Sequence, residues 1–238
     1  MDAIRFAHIA PTKHILHAAA NSKAHMALAH LVGCQDYVDN FRTVRAEGGY
    51  VYLDNSQFEL GYALPIAEVL AAAKLINANC VILPDGELKD LDKVKAAGFD
   101  VMYIPAAPNL EDDFLEAMFN KKIDKVGLSY SKTSAYLGKP RSSTTSRFEF
   151  LCTIAQMLPN KKIHMLGMVT AGEIALMRPF KHLIYSWDTS IAIWAGLNHI
   201  DIRDMSHKNT AEVDFDSELH WGNVVDSNID YITQLLSL

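Results

Sequence analysis

Short runs rich in β-branched and aromatic residues recur along this chain, and most are separated by segments with helical character. The runs are Ile4–Ala10, Tyr50–Asp54, Cys80–Pro84, Asp100–Pro105, Lys125–Tyr130, Lys162–Met168, His182–Asp188 and, more weakly, His199–Arg203. Between them lie Ser22–Val32 with Tyr37–Ala46, then Leu64–Ile76, Leu88–Ala97, Asn109–Asn120, Ser146–Leu158, Ala171–Met177 and Ser190–Leu197. Strands alternating with helices imply a parallel sheet. Eight strands imply an α/β fold of the (β/α)8 TIM-barrel type. Several runs are continuously apolar and finish in a polar residue or a turn former, as in VILPDG, KVGLSYS and IYSWDTS. Strands covered on both faces read this way, with functional loops at their C-terminal ends. An open doubly wound sheet competes, but it usually begins with a glycine-rich phosphate turn, and the first turn here is APTKHILH.

At 238 residues the chain suits one domain, residues 1–238, with 204–238 as a closing segment that ends in a helix near Asn228–Leu236. Lys+Arg 22 against Asp+Glu 28 gives a net charge of −6, so the molecule as a whole does not attract nucleic acid. A polyanion would have to meet a local patch. The stretch from Lys121 to Arg147 carries Lys121, Lys122, Lys125, Lys132, Lys139, Arg141 and Arg147 against Asp124 alone. It is either such a patch or a solvated loop flank. Cys34, Cys80 and Cys152 are isolated and read as reduced thiols. His8, His14 and His17 match no metal signature, so no metal or other cofactor is expected. No leader and no membrane span is apparent, and the expected location is cytoplasmic.

Two carboxylates stand out for chemistry. Asp54 and Asp188 each end a strand-like run, and strand ends in a parallel barrel converge on one site. Asp54 is followed by Asn55, Ser56, Gln57 and Phe58, groups that could hold a flat heterocycle while the carboxylate manages its proton; the alternative is a helix cap. Asp188 could act as a nucleophile toward a sugar carbon, or cap the helix that follows. Asp85, in VILPDGE, could bind a donor edge or simply form a Pro-Asp-Gly turn. Gly127 and Gly167, near strand ends, allow either close ligand approach or tight packing.

The order of these motifs resembles the tRNA-guanine transglycosylase superfamily, TIM barrels that exchange guanine for a 7-deazaguanine. LDNSQFEL is similar to that family's SDSGGFQ segment, implying Asp54 as general acid/base, Asn55 beside the base and Phe58 as the stacking aromatic. VILPD resembles the strand whose aspartate reads the purine, implying that role for Asp85. KVGLSY and HMLGMVTAGEI resemble two further family segments, placing Gly127, Leu128, Leu166 and Gly167 against the base. YSWDTSIAIWAG resembles the segment of the nucleophile, implying Asp188. The family's double glycine is Ser56-Gln57 here, the glutamine expected after the fourth strand is missing, and the zinc subdomain that supports tRNA docking is absent. The resemblance therefore implies the small zinc-free relatives of bacteriophages, which insert deazaguanines into DNA.

The implied reaction is a base exchange through a covalent Asp188–deoxyribosyl intermediate, a pentosyltransferase activity, with DNA and a deazaguanine base as partners. Lys132, Lys139, Arg141 and Arg147 would contact phosphate, and a helper protein that opens the duplex is a further candidate partner. The rival readings are a barrel N-glycosidase or glycoside hydrolase using the same two aspartates, and a non-catalytic DNA-binding paralogue.

Overall fold

Burial on both faces decides the architecture: in β2 (Ala24–Leu28) and β4 (Cys80–Ile82) every residue is buried, which only a strand covered inside and outside can achieve. The computed structural model describes residues 4–106, 108–140, 143–159, 161–168, 170–205 and 214–237. With β1 (Arg5–His8), β3 (Tyr50–Asp54), β5 (Asp100–Tyr103), β6 (Lys125–Ser129), β7 (Lys162–Leu166) and β8 (Ile184–Thr189), these strands form a closed parallel barrel in chain order. Pairing of β1 with β8, from Arg5↔Ser186 to His8↔Thr189, completes the ring. The fold is a (β/α)8 TIM-type barrel.

The helices of the outer layer are α1 (Ile15–Asn21), α2 (Gln35–Ala46), the single turn α3 (Gln57–Leu60), α4 (Ile66–Leu75), α5 (Leu91–Ala96), α6 (Leu110–Phe119), α7 (Tyr130–Tyr136), α8 (Ser146–Ile154), α9 (Ala171–Leu176), α10 (Ile191–Leu197) and α11 (Asn223–Ser237). Their apolar faces and the outward strand residues form the larger core, which includes Phe41, Val69, Phe114, Phe150, Trp187 and Ile229. A second, smaller core fills the barrel itself with Ala7, Ala24, Met26, Tyr52, Cys80, Ile82, Met102 and Ile104. Successive residues of β1 to β5 alternate between these cores, as in Phe6 and Ala7 or Tyr52 and Leu53, as period two requires.

Two elements differ from the sequence expectation. Ser22–Val32 reads as a helix because Ala, Met and Leu favour one, yet Ala24–Leu28 is β2, paired on both sides with β1 and β3. Pairing on both sides and burial on both faces of this run override propensity. His199–Arg203 is not a strand: Ile202–Asp204 is a short 3-10 turn, and the closed ring has no free edge for another strand. Helices α1 and α7 were not anticipated.

The N-terminal end of the barrel is plugged by the first residues of several strands. Lys125, buried at 4 % side-chain exposure, donates to the Tyr50 hydroxyl at 2.6 Å and to Asp100 at 2.8 Å, and Arg5 lies over the rings of Tyr50 and Tyr185. Chemistry is left to the opposite end.

Candidate active site at the barrel mouth

The turn after β3 is wired to its neighbours. Ser56 adopts φ 63°, a left-handed conformation uncommon for a residue with a Cβ. It is held there by its own amide, which donates to Asp54 Oδ1 at 2.6 Å, and by its hydroxyl, which accepts from the His30 amide at 3.1 Å. Asn55 is buried: its Oδ1 accepts from the Gln57 amide and its Nδ2 donates to the Ile82 carbonyl. Gln57 Oε1 accepts from the Asp85 amide, tying this turn to the end of β4. Strain locked by several independent bonds is common at functional sites.

Burial is the main force on Asp54 and pushes its carboxyl up to about 8; Glu59 adds to this, the Ser56 amide opposes it, and Asp188 and Asp85 raise it further. Among the described residues no lysine or arginine pairs with Asp54. Asp85 is paired instead with Lys132 at 3.0 Å.

Asp188, 4 % exposed, lies at the end of β8. Its Oδ1 accepts from the Gly167 amide at 2.9 Å and meets His164 Nε2 at 3.0 Å. His164 Nδ1 lies 2.7 Å from Ser186 Oγ, which lies 2.9 Å from the Tyr52 hydroxyl. With Asp188 ionised and the ring neutral, Nε2 carries the proton and donates to the carboxylate, and Nδ1 accepts from Ser186, which in turn accepts from Tyr52. This line of bonds runs across the barrel core. It resembles a Ser-His-Asp triad in composition, but Ser186 is fully buried and bonded to Tyr52, so it serves to hold His164 and not to attack a substrate. His164, Ser186 and Tyr52 were missed from sequence. A signal existed: counting back by two from Asp188 makes Ser186 inward-facing, and a polar residue facing inward in an apolar strand needs a partner.

The other sequence candidates fall in varied places. Phe58 is 68 % exposed on α3. Gly127 faces the barrel interior, but a Cβ there would stand 2.5 Å from Leu166 Cδ1 and 3.1 Å from Ile104 Cγ1, so Leu166 occupies the space a ligand would need. Leu128 points outward into the helix-facing core and lines no mouth. Gly167, at φ 64°, supports Asp188. Of the proposed phosphate contacts, Arg147 is fully buried in an ion pair with Glu173, Lys132 is engaged by Asp85 and Lys139 by Glu149; Arg141 lies outside the described residues. Lys122 and Lys125 pair with Asp92 and Asp100. Lys122, Lys125, Lys132, Lys139 and Arg147 of the basic run are thus each matched by an acid from elsewhere in the chain.

Among the described residues no three His, Cys, Asp or Glu side chains converge as a metal site would require, and no helix is long and apolar enough to cross a membrane. A surface cleft of about 350 Å³ lies outside the barrel, between Arg203 and α11, and is lined by none of the strand-end residues.

No protein-family model matches the chain, and no curated protein is similar to it in sequence. Solved structures share its fold. A 4-hydroxy-2-oxoglutarate aldolase superposes with a TM-score of 0.57 at 9 % identity, covering 98 % of this chain and 93 % of that one. The tryptophan synthase α-subunit of Pyrococcus furiosus gives 0.58 at 12 %, covering 99 % and 98 %. The phosphoribosylanthranilate isomerase of Thermotoga maritima gives 0.52 at 13 %, covering 99 % and 100 %. At such identities the likeness is one of fold.

These findings overturn the transglycosylase resemblance. The matched chains include aldolases, a synthase subunit and an isomerase, and no protein-family model, a guanine-transglycosylase one included, matches the sequence. Guanine exchange, pentosyl transfer, a deazaguanine substrate, DNA modification and a phage role fall with it, and the hydrolase and DNA-binding rivals gain no support. The physical reason is general: any parallel barrel carries polar residues at strand ends in chain order, so short motifs in the right order reflect the architecture.

Proposed function

We propose that this chain is an acid–base enzyme of the isomerase or lyase kind, acting on a small molecule at the C-terminal mouth of the barrel. The observation that carries the reading is the unequal environment of two carboxyls at one rim. Asp54 is part-buried, and desolvation together with Glu59, Asp188 and Asp85 pushes its carboxyl up to about 8, while Asp188 accepts hydrogen bonds from an amide and from His164. Pairs of carboxyls set apart in this way divide acid and base roles.

In this reading an isomerisation begins when Asp188 takes a proton from the hydroxyl-bearing carbon next to a carbonyl while Asp54 gives its proton to the carbonyl oxygen, forming an enediol; Asp54 then takes the proton of the neighbouring hydroxyl and Asp188 returns its own to the former carbonyl carbon. In a cleavage Asp188 takes the proton of the β-hydroxyl, the bond between the α and β carbons breaks to release an aldehyde and leave the enol protonated by Asp54, and Asp188 then gives its proton to the α carbon as Asp54 recovers its own. The matched enzymes, named as aldolases, a synthase subunit and an isomerase, are consistent with it. A Schiff-base route is less favoured, because Lys125 is committed to the opposite end of the barrel and Lys132 to Asp85.

Carboxyl ¹³C NMR, assigned with Asp54→Asn, should show Asp54 titrating near 8; a midpoint near that of an ordinary aspartate would overturn the acid role. A panel of hydroxy-carbonyl compounds in D₂O then tests the base. Solvent deuterium should enter at the carbon next to the carbonyl and fall by about 100-fold or more in Asp188→Asn.

A further inference from the structure

Arg147 lies in the first turn of α8, where an arginine would ordinarily reach solvent, yet it is fully buried. All five of its N–H groups are used. Nε and one Nη of the guanidinium grip both oxygens of Glu173 on α9 at 2.8 and 2.7 Å, and the remaining N–H groups reach three carbonyls: Leu128 at 3.0 Å, Leu166 at 2.8 Å and Gly167 at 2.9 Å. Trp187 of β8 lies beneath the guanidinium, 5.3 Å from its ring centre. Burying such a pair costs several kcal/mol of desolvation per ion, so its placement needs a reason beyond packing.

Gly167 supplies that reason. Its carbonyl is held by Arg147, and its amide donates to Asp188 Oδ1. Its φ of 64° suits glycine, and a Cβ would meet Tyr130 at 2.9 Å. One residue therefore connects the buried guanidinium to the carboxylate, with no flexible side chain between them.

We propose that Arg147 is a positioning residue for Asp188, acting through Gly167: the guanidinium fixes the turn after β7 and so fixes the amide that orients the carboxylate against His164. That Asp188 takes a proton rests on the reading above; the mechanical link does not.

Two variants test it: Arg147→Met combined with Glu173→Leu, which removes the pair without stranding a charge, and Arg147→Lys, whose ammonium cannot span three carbonyls and a carboxylate. The readouts are amide hydrogen exchange at Gly167, and the chemical shifts of its amide and of the His164 ring nitrogens at one fixed pH. In the variants, protection at Gly167 should fall by about tenfold or more and both sets of shifts should move, while β2 to β4 keep their protection and shifts. Unchanged Gly167 and His164 signals in either variant would overturn the proposal. So would loss of the whole fold in both without local loosening, since the pair would then be a core element. An intact latch with Asp54 titrating as an ordinary aspartate would fail the functional reading alone, and the opposite result would fail this inference alone.

Discussion

Asp54 shows how one residue links function to stability. Desolvation pushes its folded carboxyl up to about 8 from an ordinary 3.8, so between these values the folded chain keeps a proton that the unfolded chain has released. Stability from this residue is fully present below about pH 4 and is lost as pH rises through 8, because over that window the folded state binds more protons. Thermal melts of wild type should shift downward from pH 5 to pH 9. Asp54→Asn should flatten this dependence and melt above wild type at pH 9, by an amount equivalent to about 1 kcal/mol or more. Equal melting of the two chains at pH 9 would show that the carboxyl is not desolvated. The position of Asp54 at a strand end could be read from sequence, but its proton affinity could not, since that comes first from desolvation in the folded mouth and then from Glu59, Asp188 and Asp85 gathered there by the fold. For the same reason Asn55 reads as a base-binding group, although its amide is spent on Gln57 and Ile82.

At the scale of elements, most strands and helices were legible because burial on both faces leaves continuous apolar runs, and β3 runs from Tyr50 to Asp54 as expected. The failure at β2 is instructive. Ala24, Met26 and Leu28 satisfy a helical pattern as well as a strand pattern, and periodicity cannot choose between them in so short a run. The choice is made by the ring, which needs an eighth strand between β1 and β3. This gives a discriminating prediction. Ala24 is completely buried in the inner core, so Ala24→Leu should overpack the barrel and cost about 1–3 kcal/mol in urea denaturation. An exposed or helix-surface alanine would tolerate that change, so an unaltered urea midpoint would count against the strand assignment.

Across the whole molecule the two ends of the barrel divide the work. The N-terminal end gathers Arg5, Tyr50, Asp100 and Lys125 into a bonded plug, and the C-terminal end gathers carboxyls that repel one another. The cohesive end can offset the strained one, the usual balance between stability and activity. Sequence alone hid this division, because Lys125 belongs to a run of basic residues that looks like a surface patch, whereas its partners come from β3 and β5. Burial alone would raise the carboxyl of Asp100, but bonds from Lys125 and Tyr50 outweigh it and hold it below its ordinary value. Stability from Asp100 is therefore present above the ordinary carboxylate range and is lost as pH falls through its lowered value. Lys125→Met should remove that acid dependence and lower the urea midpoint at pH 7, by an amount on the order of 1–3 kcal/mol for the hydrogen bonds lost. If the ends are independent, the Asp54 titration near 8 will survive the substitution unchanged. A downward shift of the Asp54 midpoint in Lys125→Met would instead mean that the plug sets the geometry of the mouth through the strands, and that the two ends act as one unit.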